Sequence, residues 1–322
     1  MAPAADRARL LGTRTERPEQ ELHMTAQRMI THGDVGLWTE EFGDTAHPPV
    51  LLVMGSMSQG VLWPDELVGR LAAAGRRVIR YDHRDTGRSS VVDFEAGPYT
   101  WADMKDDLLA VLDGYGIDCA HIVGHSAGGL LAQWVAAERP ERVLTLTVIG
   151  SSPLGAGEGR TLVRAMTGQE PDEHDLPYPT AEAIEFFTDA AANPPGPDRR
   201  SQIDFAIGLG RVAHGTGLPF DEDEQRRLEE RLYDRARQPG SQAGHQRAHA
   251  ADPGAEPVGV LGKITAPTLA VEGTHEPYKP GHSALIADAI PGASLLAIEG
   301  MGHTFPPEVH EPLADAIIAH TQ

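Results

Sequence analysis

The stretch Gly124-His125-Ser126-Ala127-Gly128 places one serine between small residues, directly after a short apolar run. It matches the pattern G-x-S-x-G, in which a strand turns sharply into a helix and leaves the serine Oγ exposed. The two glycines let the strand and the helix approach each other. A glycine-rich turn with an unreactive serine is the alternative, but an apolar run before and a helical pattern after favour a nucleophile.

Such a serine needs a base, and in this arrangement the chain order is serine, acid, histidine. His303 lies in the glycine-flanked loop of "EGMGHTFPPEVHEP", just after the last predicted strand. An ordinary loop histidine is the alternative. The other C-terminal histidines are predicted to lie on or beside helices: His282, His310 and His320. We therefore expect His303 to be the base.

The acid is expected in the loop after the preceding strand, where "AVEGTHEPYKP" offers two carboxylates. Glu272 falls within the predicted strand, whereas Glu276 follows it. Glu276 is therefore the predicted acid that orients His303, and a surface turn residue before Pro277 is the alternative.

Two backbone N–H groups are expected to stabilise an oxyanion. Ala127 begins the predicted helix after Ser126. The backbone N–H groups of the first helical turn point out of the N-terminal end of the helix and carry partial positive charge. The second donor is expected in the loop after the strand "VLLVM", with the N–H of Ser56 preferred and that of Met57 as the alternative. Arg84 and Asp85, in the turn after "VIRYD", are expected to brace a neighbouring loop.

These groups require a scaffold, and the chain alternates strands with helices. Continuous apolar runs at 48–55, 77–82, 142–150, 266–273 and 294–300 predict buried strands, and 35–44 is interpreted as an edge hairpin. Helices are predicted at 63–75, 100–116, after Ser126 and at 308–320. Alternation of this kind predicts an α/β fold with a mostly parallel sheet and helices on both faces.

The alternation stops between about 152 and 257, where helical fragments and Gly/Pro breaks replace apolar strands. The predicted organisation is therefore a body made of 29–151 and 258–322, interrupted by a helical cap at 152–257. Residues 1–28 are predicted to be a loosely ordered arm, because acids and bases are mixed and no signal-peptide apolar core is present.

Composition excludes several function classes. The 322 residues carry a formal net charge of -20 and only 5% aromatic residues, so nucleic acid and anionic membranes are not expected partners. Cys119 is the only cysteine, which fits a reducing, cytoplasmic location. No nucleotide-binding motif is present, and His245 and His249 are interpreted as surface histidines, so neither a cofactor nor a metal is expected. Oligomeric state cannot be predicted from the sequence.

These residues resemble the α/β-hydrolase superfamily. The similarity extends to one branch, the aclacinomycin methylesterases of anthracycline biosynthesis and their bacterial relatives. It is carried by "LLVMGS", "LWPDEL", "VIRYDHRDTGRS", "AVLDGYGID", "GTGLPFDEDE" and "IEGMGHTFPPEVHEPLADAIIAHT".

The resemblance implies an α/β-hydrolase fold and a triad of Ser126, Glu276 and His303. It also implies hydrolysis of a carboxylic ester, in this branch a methyl ester on a polyketide-derived ring bound between body and cap. Two features depart from the branch: glutamate replaces the usual aspartate at 276, and the elbow "GHSAGG" is closer to that of general esterases.

Two alternatives stay open. The same triad could cleave an amide, a lactone or a C–C bond, or form a peracid. A ligand-binding protein on a hydrolase body, with a weak triad, is the alternative from another class.

Overall fold

The computed structural model describes residues 24–251 and 256–322, which form one sheet of eight strands. The strands are β1 (Met24–His32), β2 (Val35–Phe42), β3 (Pro49–Val53), β4 (Arg77–Tyr81), β5 (Ala120–His125), β6 (Val143–Ile149), β7 (Thr268–Gly273) and β8 (Ser294–Ile298). Their order across the sheet is β1-β2-β4-β3-β5-β6-β7-β8. β2 pairs antiparallel with β1 and β4, and the other neighbours are parallel. The predicted α/β fold with a mostly parallel sheet is confirmed.

Ten α-helices surround the sheet within the described residues. They are α1 (Asp65–Ala73), α2 (Trp101–Gly114), α3 (Ala127–Glu138), α4 (Glu158–Met166), α5 (Ala181–Ala192), α6 (Arg199–His214), α7 (Glu222–Arg235), α8 (Gly244–Ala251), α9 (His282–Ala289) and α10 (Pro307–His320). Five of them, α4 to α8, lie between β6 and β7, in the segment predicted to be a helical cap. Across 24–251 and 256–322, no helix is both long and apolar enough to cross a membrane.

The central strands bury side chains on both faces, as their continuous apolar runs predict. In β3, Leu51 and Val53 join the core under α2 and α3, while Val50 and Leu52 join the core under α1 and α10. The alternation follows from the pleat, which directs successive side chains to opposite faces. Burial on both sides fixes the strand register, and with it the positions of the loops that leave the strand ends.

Helix α2 begins where the sequence predicts. The Asp103 carboxylate accepts hydrogen bonds from the N–H and Oγ–H of Thr100 at 2.7 and 2.8 Å. Met104, Leu108 and Leu112 are buried on its inner face. This docks α2 against the sheet and places its N-terminal turn next to the loop after β4.

The N-terminal edge of the sheet differs from the prediction. β2 is an internal strand because β1 covers it, and β1 is the edge strand of the hairpin. Residues 24–28 were predicted to belong to the arm, but they form the first half of β1 and pair with β2. The predicted arm from 1 to 23 lies outside the described residues.

Candidate active site

Ser126 lies at the sharp turn between β5 and α3. Its φ is 52°, in the left-handed region that side chains other than glycine adopt at a cost of about 1–3 kcal/mol. The Ser126 N–H donates to the carbonyl of Ile149 on the adjacent strand at 2.9 Å. The side chain is half-exposed, so its hydroxyl remains accessible.

The glycines of this turn are required by packing. A Cβ at Gly124 would lie 2.4 Å from the carbonyl oxygen of Gly128, and a Cβ at Gly128 would lie 2.2 Å from that of Val53. Both distances are far shorter than a carbon–oxygen contact allows. Ala127 is the first residue of α3, and N–H groups in the first turn of a helix have no acceptor within the helix.

Glu276 and His303 meet beside this turn. Glu276 follows β7 and His303 follows β8, so the carboxyl ends of parallel strands bring both to one edge of the sheet. Because a carboxylate only accepts, His303 Nδ1–H donates to Glu276, with the nitrogen 2.9 Å from Oε1 and 2.8 Å from Oε2. The bond to Glu276 occupies Nδ1, so only Nε2 could take a proton from a serine.

The Glu276 carboxyl is buried yet held in its ionised form. Burial by itself raises the pKa of Glu276, but the charge and hydrogen bond of His303 outweigh it and leave the pKa below its usual value. The backbone N–H groups of Tyr278 and Lys279 also donate to Oε1, at 2.9 and 3.2 Å. Glutamate at this position therefore makes the contact expected of an aspartate.

Gly150 makes room for the longer side chain. It follows β6, with a φ of 52°. A Cβ there would lie 3.0 Å from Glu276 Oε2 and 3.2 Å from His303 Nδ1. The absence of a side chain at 150 thus leaves space for the extra methylene of glutamate.

His125 contacts both the backbone and the ring of His303. Its Nε2–H donates to the His303 carbonyl at 2.9 Å, and the two rings are 4.6 Å apart. Burial, followed by the nearby charge of His303, holds the pKa of His125 well below its usual range. His125 is therefore a neutral donor. The sequence pattern identified His125 only as a member of the G-x-S-x-G turn.

The predicted oxyanion loop forms a turn from Gly55 to Ser58 beside the elbow. A Cβ at Gly55 would lie 3.2 Å from the Cβ of Ser126, so glycine permits this close approach. The Met57 N–H donates to His245 Nδ1 at 2.8 Å. Of the two donors considered for this loop, Met57 is therefore already engaged, which leaves the N–H of Ser56.

The prediction that His245 is a surface residue is wrong. His245 is 1% exposed and joins the loops at 57 and 84, because α8 packs directly against the body. His249, one turn further on, is half-buried and packs against the Trp101 ring. Their spacing gave no indication of this burial, since a docked helix and a solvated helix can share the same pattern.

Arg84 and Asp85 do brace the neighbouring loop. Arg84 makes two hydrogen bonds of 2.7 Å to the buried carboxylate of Asp107 on α2. Asp85 accepts from the Val92 N–H and from the Tyr99 hydroxyl, both at 2.6 Å. These contacts fix the turn after β4 against α2.

A cavity of about 2160 Å³ opens between the body and helices α4 to α8, with Ser126 and His303 on its wall. A row of aromatic rings leads away from His303, with successive centroids 4.9 to 6.2 Å apart: Tyr278, Phe187, Phe186 and Phe205. Lys279 also lines the cavity, with its Nζ 2.8 Å from Glu158 Oε1 on α4. The cavity therefore offers a large aromatic face and, next to it, the Lys279–Glu158 ion pair.

Comparison with known proteins is consistent with this arrangement. Residues 48–308 match the family described as "alpha/beta hydrolase fold". The chain belongs to the α/β-hydrolase family. It is 42% identical over 297 residues to rhodomycin D methylesterase DauP of Streptomyces sp. (strain C5), covering 92% of this chain and 98% of that protein. Rhodomycin D methylesterase DnrP of Streptomyces peucetius is 41% identical over 301 residues, with the same coverage.

Structural similarity extends to members of this family with other chemistry. The bromoperoxidase from Bacillus anthracis superposes with a TM-score of 0.69 at 21% identity, covering 92% of this chain and 98% of that one. At this level of identity the likeness concerns the fold alone. The methylesterase relatives, which match nearly end to end, therefore carry the comparison of activity.

Proposed function

We propose that this α/β-hydrolase is a carboxylic-ester hydrolase that works through an acyl-enzyme on Ser126. The observation that carries the proposal is the His303–Glu276 pair beside a serine held at positive φ. Similarity to two methylesterases over 92% of the chain supports ester cleavage over the other reactions of the fold.

In the proposed mechanism, Ser126 Oγ attacks the ester carbonyl while His303 Nε2 takes the hydroxyl proton. The backbone N–H groups of Ser56 and Ala127 stabilise the negative charge that develops on the carbonyl oxygen. Glu276 holds Nδ1–H and stabilises the imidazolium. His303 then gives its proton to the departing alcohol, and a water molecule, deprotonated by His303, releases the acid and restores Ser126.

For the substrate, we propose a methyl ester on a polyketide-type ring system. Support comes from the relatives' activity on rhodomycin D and from the aromatic row that leads from Tyr278 to Phe205. Flat ring systems gain both apolar burial and offset stacking against such a surface. The proposal includes the division into a body, which begins at β1 and comprises 24–151 and 258–322, and a cap (152–257), and it includes a cytoplasmic location.

The test combines a covalent probe with an ester panel. A fluorophosphonate probe is expected to label the wild-type chain at Ser126, and Ser126→Ala is expected to abolish both labelling and turnover of p-nitrophenyl and methyl esters. A folded chain that neither labels nor cleaves any ester would support the ligand-binding alternative instead. Turnover retained by Ser126→Ala would place the nucleophile elsewhere.

A further inference from the structure

His245, on α8 of the inserted segment, joins two loops of the body. Its Nδ1 accepts the Met57 N–H at 2.8 Å, and its Nε2–H donates to the Arg84 carbonyl at 2.8 Å. The partners define the tautomer, because a backbone N–H can only donate and a carbonyl can only accept. Ser56 Oγ also lies 3.4 Å from Nδ1. Both ring nitrogens are therefore used.

The bond to Met57 acts on a strained turn. The Ser58 N–H approaches the Gly55 carbonyl at 3.4 Å, and Met57 has a φ of 63° at the third position of the turn. Glycine is the usual residue where a four-residue turn needs positive φ at that position. A methionine there needs support from its surroundings, and the hydrogen bond to His245 holds the Ser56–Met57 peptide in this orientation.

We infer that His245 is a positioning residue for the oxyanion loop. By fixing the Ser56–Met57 peptide, it holds the adjacent Ser56 N–H toward the carbonyl oxygen that Ser126 attacks. The inference rests on the proposed function, because Ser56 is an oxyanion donor only if Ser126 is the nucleophile. The inserted segment would then contribute to the rate of the reaction as well as to the choice of substrate.

The packing of α8 is adapted to bring His245 this close. A Cβ at Gly244 would lie 2.2 Å from Asp85 Oδ2, so the helix start can approach only without a side chain there. Just before α8, the Ser241 hydroxyl donates to the Asp85 carbonyl at 2.7 Å. Trp101 Nε1–H also donates to the His245 carbonyl at 3.4 Å. The helix is thus tied to the body on both sides of the imidazole.

The environment of His245 keeps Nδ1 an acceptor. Burial lowers the pKa of His245 to about 4, so the ring is neutral at physiological pH. The His83 ring packs edge-on against it, with centroids 5.8 Å apart. A neutral imidazole with a fixed tautomer is what a lasting bond to the Met57 N–H requires.

Two substitutions separate the contacts at Nδ1 of His245 from the bond at Nε2. In His245→Asn, the side-chain oxygen can replace Nδ1 and accept from Met57, while the contact with Arg84 is lost. In His245→Gln, the amide reaches the Nε2 position and can donate to Arg84, while the acceptor for Met57 is lost. Arg247→Ala is the matched control, because Arg247 lies on the same helix but packs over the Phe94 ring, 4.9 Å from its centroid.

The measurements are kcat and KM for p-nitrophenyl acetate, and inhibition by phenylboronic acid, which forms a tetrahedral adduct with a serine. We expect His245→Gln to lower kcat by roughly 10- to 100-fold and to weaken the boronic acid similarly, with KM changed less than about threefold. His245→Asn is expected to recover about tenfold of that loss. Arg247→Ala is expected to stay within about twofold of wild type.

Several results would overturn the inference. A folded His245→Gln with kcat and boronic acid affinity within twofold of wild type would do so, and so would equal losses in the Asn and Gln variants. An ¹⁵N spectrum of the wild-type imidazole that shows the proton on Nδ1 would also do so, without any variant. Fluorophosphonate labelling of wild-type Ser126 separates the two claims: its absence would overturn the proposed function and this inference together.

Discussion

In the mechanism that we propose, the acid–base side and the oxyanion side of the Ser126 hydroxyl are built from different parts of the chain. On the acid–base side, Gly150, Glu276 and His303 all lie in loops that directly follow strands of the sheet. Glu276 and His303 contact each other directly, and the His303 N–H also donates to the Ala213 carbonyl on α6 at 2.6 Å. The sheet brings the three residues together, because neighbouring parallel strands end at the same level, and the backbone of α6 holds the loop of His303.

On the oxyanion side, the loop from 55 to 60 is held by the inserted segment. Besides the contact from His245, Gln59 Nε2 donates to the Leu232 carbonyl at 2.7 Å, and Arg235 donates to Gln59 Oε1 at 2.7 Å. Arg235 also donates to the buried carboxylate of Asp82 at 2.6 Å. This side therefore depends on how α7 and α8 dock.

The difference lies in which atoms of the inserted segment are used: His303 is held by a backbone carbonyl, whereas the oxyanion loop is held by the side chains of His245 and Arg235. Substitutions in the inserted segment should therefore affect the oxyanion loop more than the acid–base groups. A segment that surrounds the substrate can then be replaced in evolution only if it also restores the contacts to the loop at 55–60. Three changes in activity, in decreasing order of expected effect, and one change in stability test this contrast.

Replacing Glu276 by Gln should break the acid–base side. The amide removes the charge and presents an N–H to Nδ1, which favours the wrong imidazole tautomer. We expect kcat for p-nitrophenyl acetate to fall by roughly two to four powers of ten. Glu276→Asp should retain part of the activity, because the charge survives with a shorter reach.

Glu272→Gln is the control for that variant. Glu272 accepts from the N–H groups of Gly281 and Ser283 at 2.7 and 2.9 Å, at the start of α9 rather than at His303. Its kcat should stay within a few-fold of wild type, on the scale of a surface cap. Equal losses in the two glutamine variants would argue against Glu276 as the acid.

Gly150→Ala should disturb the same side more gently. The added Cβ would press on Glu276 Oε2 at 3.0 Å, and alanine is strained at a φ of 52°. We expect kcat to fall by about tenfold to a hundredfold through misplacement of the His303 ring. Combining it with Glu276→Asp should recover activity; a double variant worse than Gly150→Ala alone would contradict the crowding argument.

Exchanging residues 152–257 for the corresponding segment of another α/β-hydrolase tests the oxyanion side. From the sequence, the segment is expected to set the ranking of esters without affecting the labelling of Ser126. The His245 contact instead predicts that a folded chimera without an equivalent histidine labels with fluorophosphonate about tenfold more slowly. Unchanged labelling rates would mean that the segment affects only the choice of ester and not the reactivity of Ser126.

The last prediction concerns how the free energy of unfolding depends on pH. Burial, with a contribution from the neighbouring histidine for His83, lowers the pKa values of His83 and His245 to about 4. As pH falls from about 6.5 toward 4, the unfolded chain therefore binds protons at these two histidines before the folded chain does. The contribution of these two histidines to the free energy of unfolding is fully present above pH 6.5. It is lost across this window, at roughly 1.4 kcal/mol per pH unit for each histidine.

Urea unfolding at several pH values between 6.5 and 4 measures this slope. His245→Asn should show a shallower decline than wild type, since one of the buried imidazoles that take up a proton on unfolding is gone. An identical slope in the two proteins would mean that His245 takes up no extra proton on unfolding.

The sequence by itself determined the acid–base side. The turn at Ser126 is a local structure, since Gly124 and Gly128 are needed wherever a strand bends this sharply into a helix. The places of Glu276 and His303 follow from the parallel order of the strands, which gathers the loops after successive strands at one edge. The strand pattern also gave the sheet, except for β1, whose short alternation from Met24 to His32 becomes evident only once β2 is its partner.

Tertiary structure alone decided the oxyanion side and the fit of the acid. His245 and Met57 are 188 positions apart, and their contact exists only because α8 docks where Gly244 leaves space for it. The fit of Glu276 depends likewise on the missing side chain at Gly150, in the loop after another strand. The helical pattern of a sequence determines which residues share a face of a helix. The surface against which that face packs depends on contacts between distant segments, and the local sequence does not encode it.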